Sequence, residues 1–215
     1  MRVNNSSSIY CSSISFSKRN KNGENIQTSR KEHYKKAFID TLSKNFSYHV
    51  IHREKVNLKD FDNNQIPAIV VKTGKSSKSI FHNGISLGNC NFSECSAKIS
   101  GENYPEYYKG KPYLFINSIA SNKQFKGIGT ELIKSVVRES QRRGFEGRVC
   151  LNASVVSPEL GSPIPFYSKL GFEASDINKQ IIIDYVLKNN LKLPENCQSA
   201  TMFLPKEAIQ KLLYT

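Results

Sequence analysis

Apolar positions are sparse and unpatterned over residues 1–27, where serine and asparagine dominate. Such a segment buries too little surface to offset the entropy of ordering, and it predicts a disordered tail. From Ser29 the pattern turns helical. "SRKE" has the form of a capping box, and Tyr34, Ala37, Phe38 and Leu42 follow at helical spacing. "IPAIVVK" (Ile66–Lys72) reads as a short buried strand, "KTGKSSKS" as a turn, and "IFHNGISLG" from Ile80 as a second strand. Residues 100–112 are polar and loop-like. "YLFINSIA" (Tyr113–Ala120) is apolar enough for a central strand.

Beyond it, Ile128, Leu132, Ile133, Val136 and Val137 share one face of a helix. Arg142 and Arg143 suit its negative end, and Gly144 is placed to close it. "GRVCLNAS" (Gly147–Ser154) predicts another strand. A short helix begins near Ser162-Pro163, where proline is tolerated in a first turn, and Gly171 closes it. "IIIDYVLK" (Ile181–Lys188) reads as helix, "SATMFLP" as a late strand and "KEAIQKLLY" as a closing helix. Strands and helices alternate in this half, which points to a layered α/β fold.

The chain has 215 residues, enough for one domain with a real core, here residues 28–215 behind the tail. Its five cysteines cannot all pair and match no zinc spacing, so they read as reduced thiols. The four histidines form no ligand motif, and no metal is expected. A net charge of +13 suits an anionic partner or a solvated basic surface. No basic-and-aromatic stacking strip accompanies it, which ranks nucleic acid low. No window nears the ~18 apolar residues of a membrane span, and residues 1–20 lack the apolar core of a signal peptide. A cytoplasmic protein is the expectation. The alternative is a secreted bacterial effector acting in a host cell, because serine- and asparagine-rich N-termini resemble export signals.

Candidate chemistry centres on "QFKGIGTELI", from Gln124 to Ile133. Two glycines stand between a strand and a helix. A helix start exposes unpaired N–H groups and partial positive charge, so removing side chains there lets an anion approach. A Walker loop and a dinucleotide fingerprint both fail, since Leu132 occupies the position each needs for glycine. Gln124-x-x-Gly127-x-Gly129 does satisfy the Q/R-x-x-G-x-G/A pattern of the GNAT acetyltransferases. Some forty residues on, "FYSKLGF" (Phe166–Phe172) closely resembles that family's "FYEKLGF". The order of elements from Tyr113 to Phe172 matches too, and the chain is identified on these residues as resembling the GNAT superfamily.

The resemblance implies a mixed α/β (α+β) fold: a largely antiparallel central sheet flanked by helices, with a splay between the two central strands. It implies acetyl-CoA as co-substrate and transfer of an acetyl group to a primary amine of a protein or small molecule. Backbone N–H groups of Phe125, Lys126, Gly127, Ile128, Gly129 and Thr130, with Gln124, would cradle the CoA diphosphate. Lys126 adds charge there or is a solvated loop lysine. Ser118, Ile119 and Ala120 would pair with the pantetheine arm, with Asn117 on the same edge. Tyr167 matches the tyrosine that assists the departing thiolate; the other reading is a core tyrosine. No glutamate stands on the central strand, so the general base is unassigned, with Glu94, Glu106 and Asn117 merely near in order. Ser162 stands where many members carry an asparagine and reads as a helix cap. The acceptor site would draw on residues 31–62 and 173–203. A homodimer stays open, and a non-catalytic CoA- or partner-binding module is the rival function.

Overall fold

In the computed structural model the chain divides into two units, Met1–Phe46 and Ser47–Thr215. The structure describes residues 50–73, 75–95, 104–122, 125–155 and 161–214, all in the second unit. The helix expected from Ser29, and Gln124, lie outside the described residues.

Among the described residues eight strands form one sheet. They are β1 (Val50–Lys59), β2 (Gln65–Thr73), β3 (Ser77–His82), β4 (Ile85–Cys95), β5 (Tyr113–Ser121), β6 (Val149–Ala153), β7 (Glu173–Ala174) and β8 (Ala200–Phe203). Their order is β1-β2-β3-β4-β5-β6-β8-β7. Every pairing is antiparallel except β5 with β6. The helices are α1 (Ile128–Arg142), α2 (Ile164–Lys169), α3 (Ile177–Lys188) and α4 (Lys206–Tyr214).

Two sequence expectations are corrected. "IFHNGISLG" is a hairpin, not one strand. Asn83 and Gly84 turn back with φ of 49° and 79°, the two positive values that an Asn-Gly hairpin turn supplies. The turn before β3 is narrower than expected, since Ser77–Ser79 already pair with Val71 and Lys72 of β2 and Asn89–Asn91 of β4. Residues 50–59, part of the segment 31–62 expected to contribute to the acceptor site, form an outer strand.

α1 explains most of the core. Its buried residues include Ile128, Leu132, Ile133, Val136 and Val137, the face the spacing predicts, and it packs on β3, β4 and β5. Gly144, with φ 77°, follows its end. The loop at 104–112 is less polar than its composition suggests. Tyr108 is fully buried, accepts from Val149 N–H at 3.0 Å and donates to the Leu204 carbonyl at 2.8 Å. That hydroxyl ties the loop to β6 and to the residue after β8.

Beneath α1 lies a buried ionic cluster. Glu139 is 1% exposed and Lys78 1%. Glu139 is paired with Lys72, with Arg142 at 2.5 Å and with Arg143 at 3.0 Å. Lys78 donates to Glu54 at 3.2 Å, and Arg138 reaches the other oxygen of Glu54 at 2.9 Å. Burial alone would raise the Glu139 carboxyl; the Lys72 ammonium and the Arg143 and Arg142 guanidiniums outweigh it and hold the group below its ordinary range.

Candidate active site

The glycine corner has two distinct reasons for its two glycines. Gly127 caps α1 with φ 91° and ψ −5°, and no side chain caps the helix. Left-handed backbone favours glycine there. A Cβ on it would meet only Leu58 Cδ2, at 4.0 Å. Gly129 has ordinary backbone, but a Cβ would lie 3.0 Å from Phe166 Cζ, so this glycine makes room for a ring. Helix geometry leaves the N–H groups of Ile128, Gly129 and Thr130 without intrahelical partners, and no described residue accepts from them. Three donors and the positive end of α1 therefore converge on one point.

Lys126 departs from the expected cradle. Its N–H donates to the Lys59 carbonyl at 2.7 Å, and its carbonyl accepts from Lys59 N–H at 3.2 Å. Its ammonium donates to the Phe61 carbonyl at 3.3 Å and to Asn63 Oδ1 at 3.2 Å. Lys126 thus fastens the β1–β2 turn to the corner rather than offering a donor at it.

The corner opens into a cleft of about 550 Å³ created by divergence of the central strands. β5 and β6 pair only at Leu114–Val149, Phe115–Cys150 and Ile116–Leu151. Beyond Ile116, β5 stays with β4, and β6 leaves with β8, from Cys150–Phe203 to Ala153–Ala200. A register shift marks the point of departure. Asn91 faces Ser118 while Phe92 faces Ile116, so Asn117 is an extra residue in β5, a bulge that turns its side chain.

Of the predicted residues, Ser118, Ile119, Phe125, Gly127, Ile128, Gly129 and Tyr167 line this cleft. Ala120 does not; it sits opposite Asn89 of β4. Thr130 walls a neighbouring cavity instead. Asn117 lines the cleft, with Oδ1 accepting from Ser93 at 3.2 Å. Glu94 and Glu106 do not line it; Glu94 pairs with Arg143 at 3.1 Å and Glu106 with Lys109 at 2.9 Å.

Tyr167 stands on α2. Ser162 positions the helix start, accepting from Ile164 N–H at 3.3 Å and donating to the Gln198 carbonyl at 3.3 Å. The Tyr167 ring packs edge-on against Phe166 at 5.1 Å and Phe172 at 5.9 Å, and the residue is 6% exposed. The ring belongs to the core, and the residue also lines the cleft. Among the described residues nothing hydrogen-bonds its hydroxyl. Burial, with the Cys90 thiol nearby, pushes the phenol up to about 12.

A parallel strand pair that parts after three residues, an uncapped glycine corner on its crossover helix and a tyrosine in the opposite wall are the features the motif resemblance implies. The fold, a mixed and largely antiparallel sheet with parted central strands, is the one that resemblance implies. The chain is similar to the solved structure of Arabidopsis thaliana Naa50 in complex with the bisubstrate analogue CoA-Ac-MVNAL, at 17% identity over 60% of this chain and 72% of that one, with a TM-score of 0.37. It is also similar to the Bacillus subtilis N-acetyltransferase YlbP in complex with coenzyme A, at 13% identity over 61% and 69%, with a TM-score of 0.36. No family model matches the chain, and no curated protein matches it.

Among the cleft residues that sequence reasoning missed are Asn152, Ser154, Pro163 and Phe166. Asn152 carried a signal, because it alternates out of the apolar run of β6 and is its one exposed residue. Its Oδ1 accepts from Thr201 at 2.8 Å. Phe166 opens the "FYSKLGF" motif, and only its closeness to Gly129 shows that it borders the corner.

Proposed function

We propose that the chain is an acetyl-CoA-dependent N-acetyltransferase that moves an acetyl group to a primary amine of a protein or a small molecule. The observation that carries this reading is the continuous surface from the α1 donors, along the unpaired edge of β5, to Tyr167.

The residues present fit the cofactor. The N–H groups of Ile128, Gly129 and Thr130 would hold the diphosphate, favoured by the helix charge. Residues 118–121 of β5 pair on one side only, leaving an edge for the amides of the pantetheine arm, and an N–H near Ile119 would polarise the thioester carbonyl. Acetyl-CoA supplies the activated acetyl thioester. In the transfer a C–N bond forms, the C–S bond breaks, and the amine proton passes to the sulfur or to solvent. A phenol near 12 is a weaker acid than a thiol at about 8.5. Tyr167 therefore steadies the leaving sulfur by donating a hydrogen bond, keeping its own proton.

Calorimetry with acetyl-CoA, followed by mass spectrometry of amine acceptors incubated with both, tests the reading. Binding together with a gain of one acetyl group on an acceptor is expected. No binding overturns it, and binding with no transfer to any amine replaces it with the non-catalytic module.

A further inference from the structure

Away from the cleft, a groove of about 690 Å³ runs between β1 and the end of α1, lined by Arg53, Glu54, Lys55, Arg138, Gln141 and Arg142. Successive side chains of a strand leave by opposite faces, so three consecutive residues of β1 line one groove only along the strand's edge. That edge is the outer one. Among the described residues β1 pairs with β2 on one side, and on the other only its last residue, Lys59, is bridged, to Lys126. Lys59 turns both its N–H and its carbonyl to Lys126, away from β2. Backbone direction alternates along a strand, and the register on β2 is continuous from Arg53 to Lys59. The N–H and carbonyl groups of Arg53, Lys55 and Asn57 therefore face outward too. Pro67, which has no N–H to give, stands opposite Asn57 in β2, as this phase requires.

We infer that this edge docks an acidic, extended segment of a partner protein. The segment pairs with the outward backbone of Arg53 and Lys55 as an added strand. Its carboxylates lie against Arg53 and Lys55 on one face and against Arg138 and Arg142 on the other. Charge decides the occupant. Four cations line the groove against one carboxylate, Glu54, which Lys78 and Arg138 already hold. Arg53 and Lys55 are exposed, and neither has a carboxylate partner among the described residues. A second copy of a chain carrying +13 would set like charge against like. Nucleic acid would meet no aromatic side chain among the lining residues, and it has no amides with which to extend a sheet. The site stands apart from the acetyl-transfer reading, and either can fail without the other.

The test measures fluorescence anisotropy of labelled probes on the full chain: a peptide of alternating glutamate and valine, its lysine counterpart, and an oligothymidylate. The glutamate peptide should bind and the lysine peptide should not. Methylating alternate amides along one edge of the glutamate peptide should weaken binding about ten-fold or more, the range of two lost backbone hydrogen bonds. Arg53→Glu/Lys55→Glu should weaken it at least about ten-fold as well. Lys188→Glu/Lys192→Glu makes the same charge change at exposed positions on and just after α3, and should hold the affinity within about three-fold. Thermal melting establishes that both variants are folded, and Arg53→Gln/Lys55→Gln replaces the first if it melts early. No binding of the glutamate peptide overturns the inference. So does methylation without effect, which would leave charge attraction alone, or equal losses in the two variants. Tighter binding of the oligothymidylate, lost in the Arg53→Glu/Lys55→Glu variant, would assign the groove to nucleic acid instead. A dimer seen by sedimentation that this variant abolishes would assign it to a second copy.

Discussion

At the scale of single residues, two glycines one position apart answer to different physics, and substitution separates them. Gly127→Ala places a Cβ on left-handed backbone, which costs about 1–2 kcal/mol, and chemical denaturation should show that loss. Gly129→Ala meets only the exposed edge of the Phe166 ring at 3.0 Å; the stability loss should stay below about 1 kcal/mol and shrink when Phe166→Ala is added. A reversed order would mean that the corner is not shaped as described. Tyr167→Phe removes a hydroxyl that has no described partner, so the melting temperature should hold. If the hydroxyl steadies the leaving sulfur, turnover falls about 100-fold while acetyl-CoA affinity is unchanged; loss of affinity instead would make the residue structural. With the phenol near 12, the group keeps its proton across the working range. The turnover rate should rise with pH as the acceptor amine becomes neutral and show no falling limb from Tyr167 below about pH 11.

At the scale of elements, the second half of the chain was legible because its alternation is simple, and the first half was not because charge sits where apolar residues usually stand. β1 points Glu54 inward beside Val56 and Leu58, β2 does the same with Lys72, and β3 with Lys78. Their partners lie on α1, far along the chain, so no local window shows that these charges are paired. The Asn-Gly turn at 83–84 was readable from the dipeptide and was passed over. α3 was legible as helix, and its start is fixed by Asp176, which accepts from Asn178 N–H at 2.9 Å and Lys179 N–H at 3.3 Å. The cluster also predicts a large effect. Glu139→Gln leaves Lys72 and Lys78 short of a carboxylate in a buried place, and should destabilise the fold by about 3–5 kcal/mol, against under about 1 kcal/mol for Glu106→Gln on the surface. Since the folded Glu139 is held below its ordinary value, its contribution is present above about pH 4.3 and is lost as pH falls through the depressed folded value. The stability gap between wild type and Glu139→Gln, measured by urea titration, should therefore narrow on acidification below pH 4. A gap that stays constant or widens would show that the carboxylate charge is not what the cluster uses.

At the scale of the whole molecule, the stretch from Tyr113 to Phe172 carried the fold because both motifs and the strands between them are contiguous. The splay that makes the site is not contiguous: it needs β4 to hold one side of β5 and β8 to draw β6 away, two long-range pairings that residue spacing does not encode. The same long-range assembly buries phenols in two separate places. Tyr104, Tyr108 and Tyr113 gather with Phe203 and Cys150, and Tyr167 lies in the main core. Burial pushes Tyr104 and Tyr167 up to about 12 and raises Tyr108 and Tyr113 as well. An unfolded chain gives up these protons at about pH 10. Above pH 10 the unfolded state therefore binds fewer protons than the folded one, so stability is unaffected below that point and falls as pH rises from 10 toward 12. Phenolate absorbance followed alongside circular dichroism should show these tyrosines ionising late and together with loss of structure. If all ten tyrosines ionise near pH 10 in one reversible step while the fold persists, the pinned loop at Tyr108 and the packed wall at Tyr167 are both wrong.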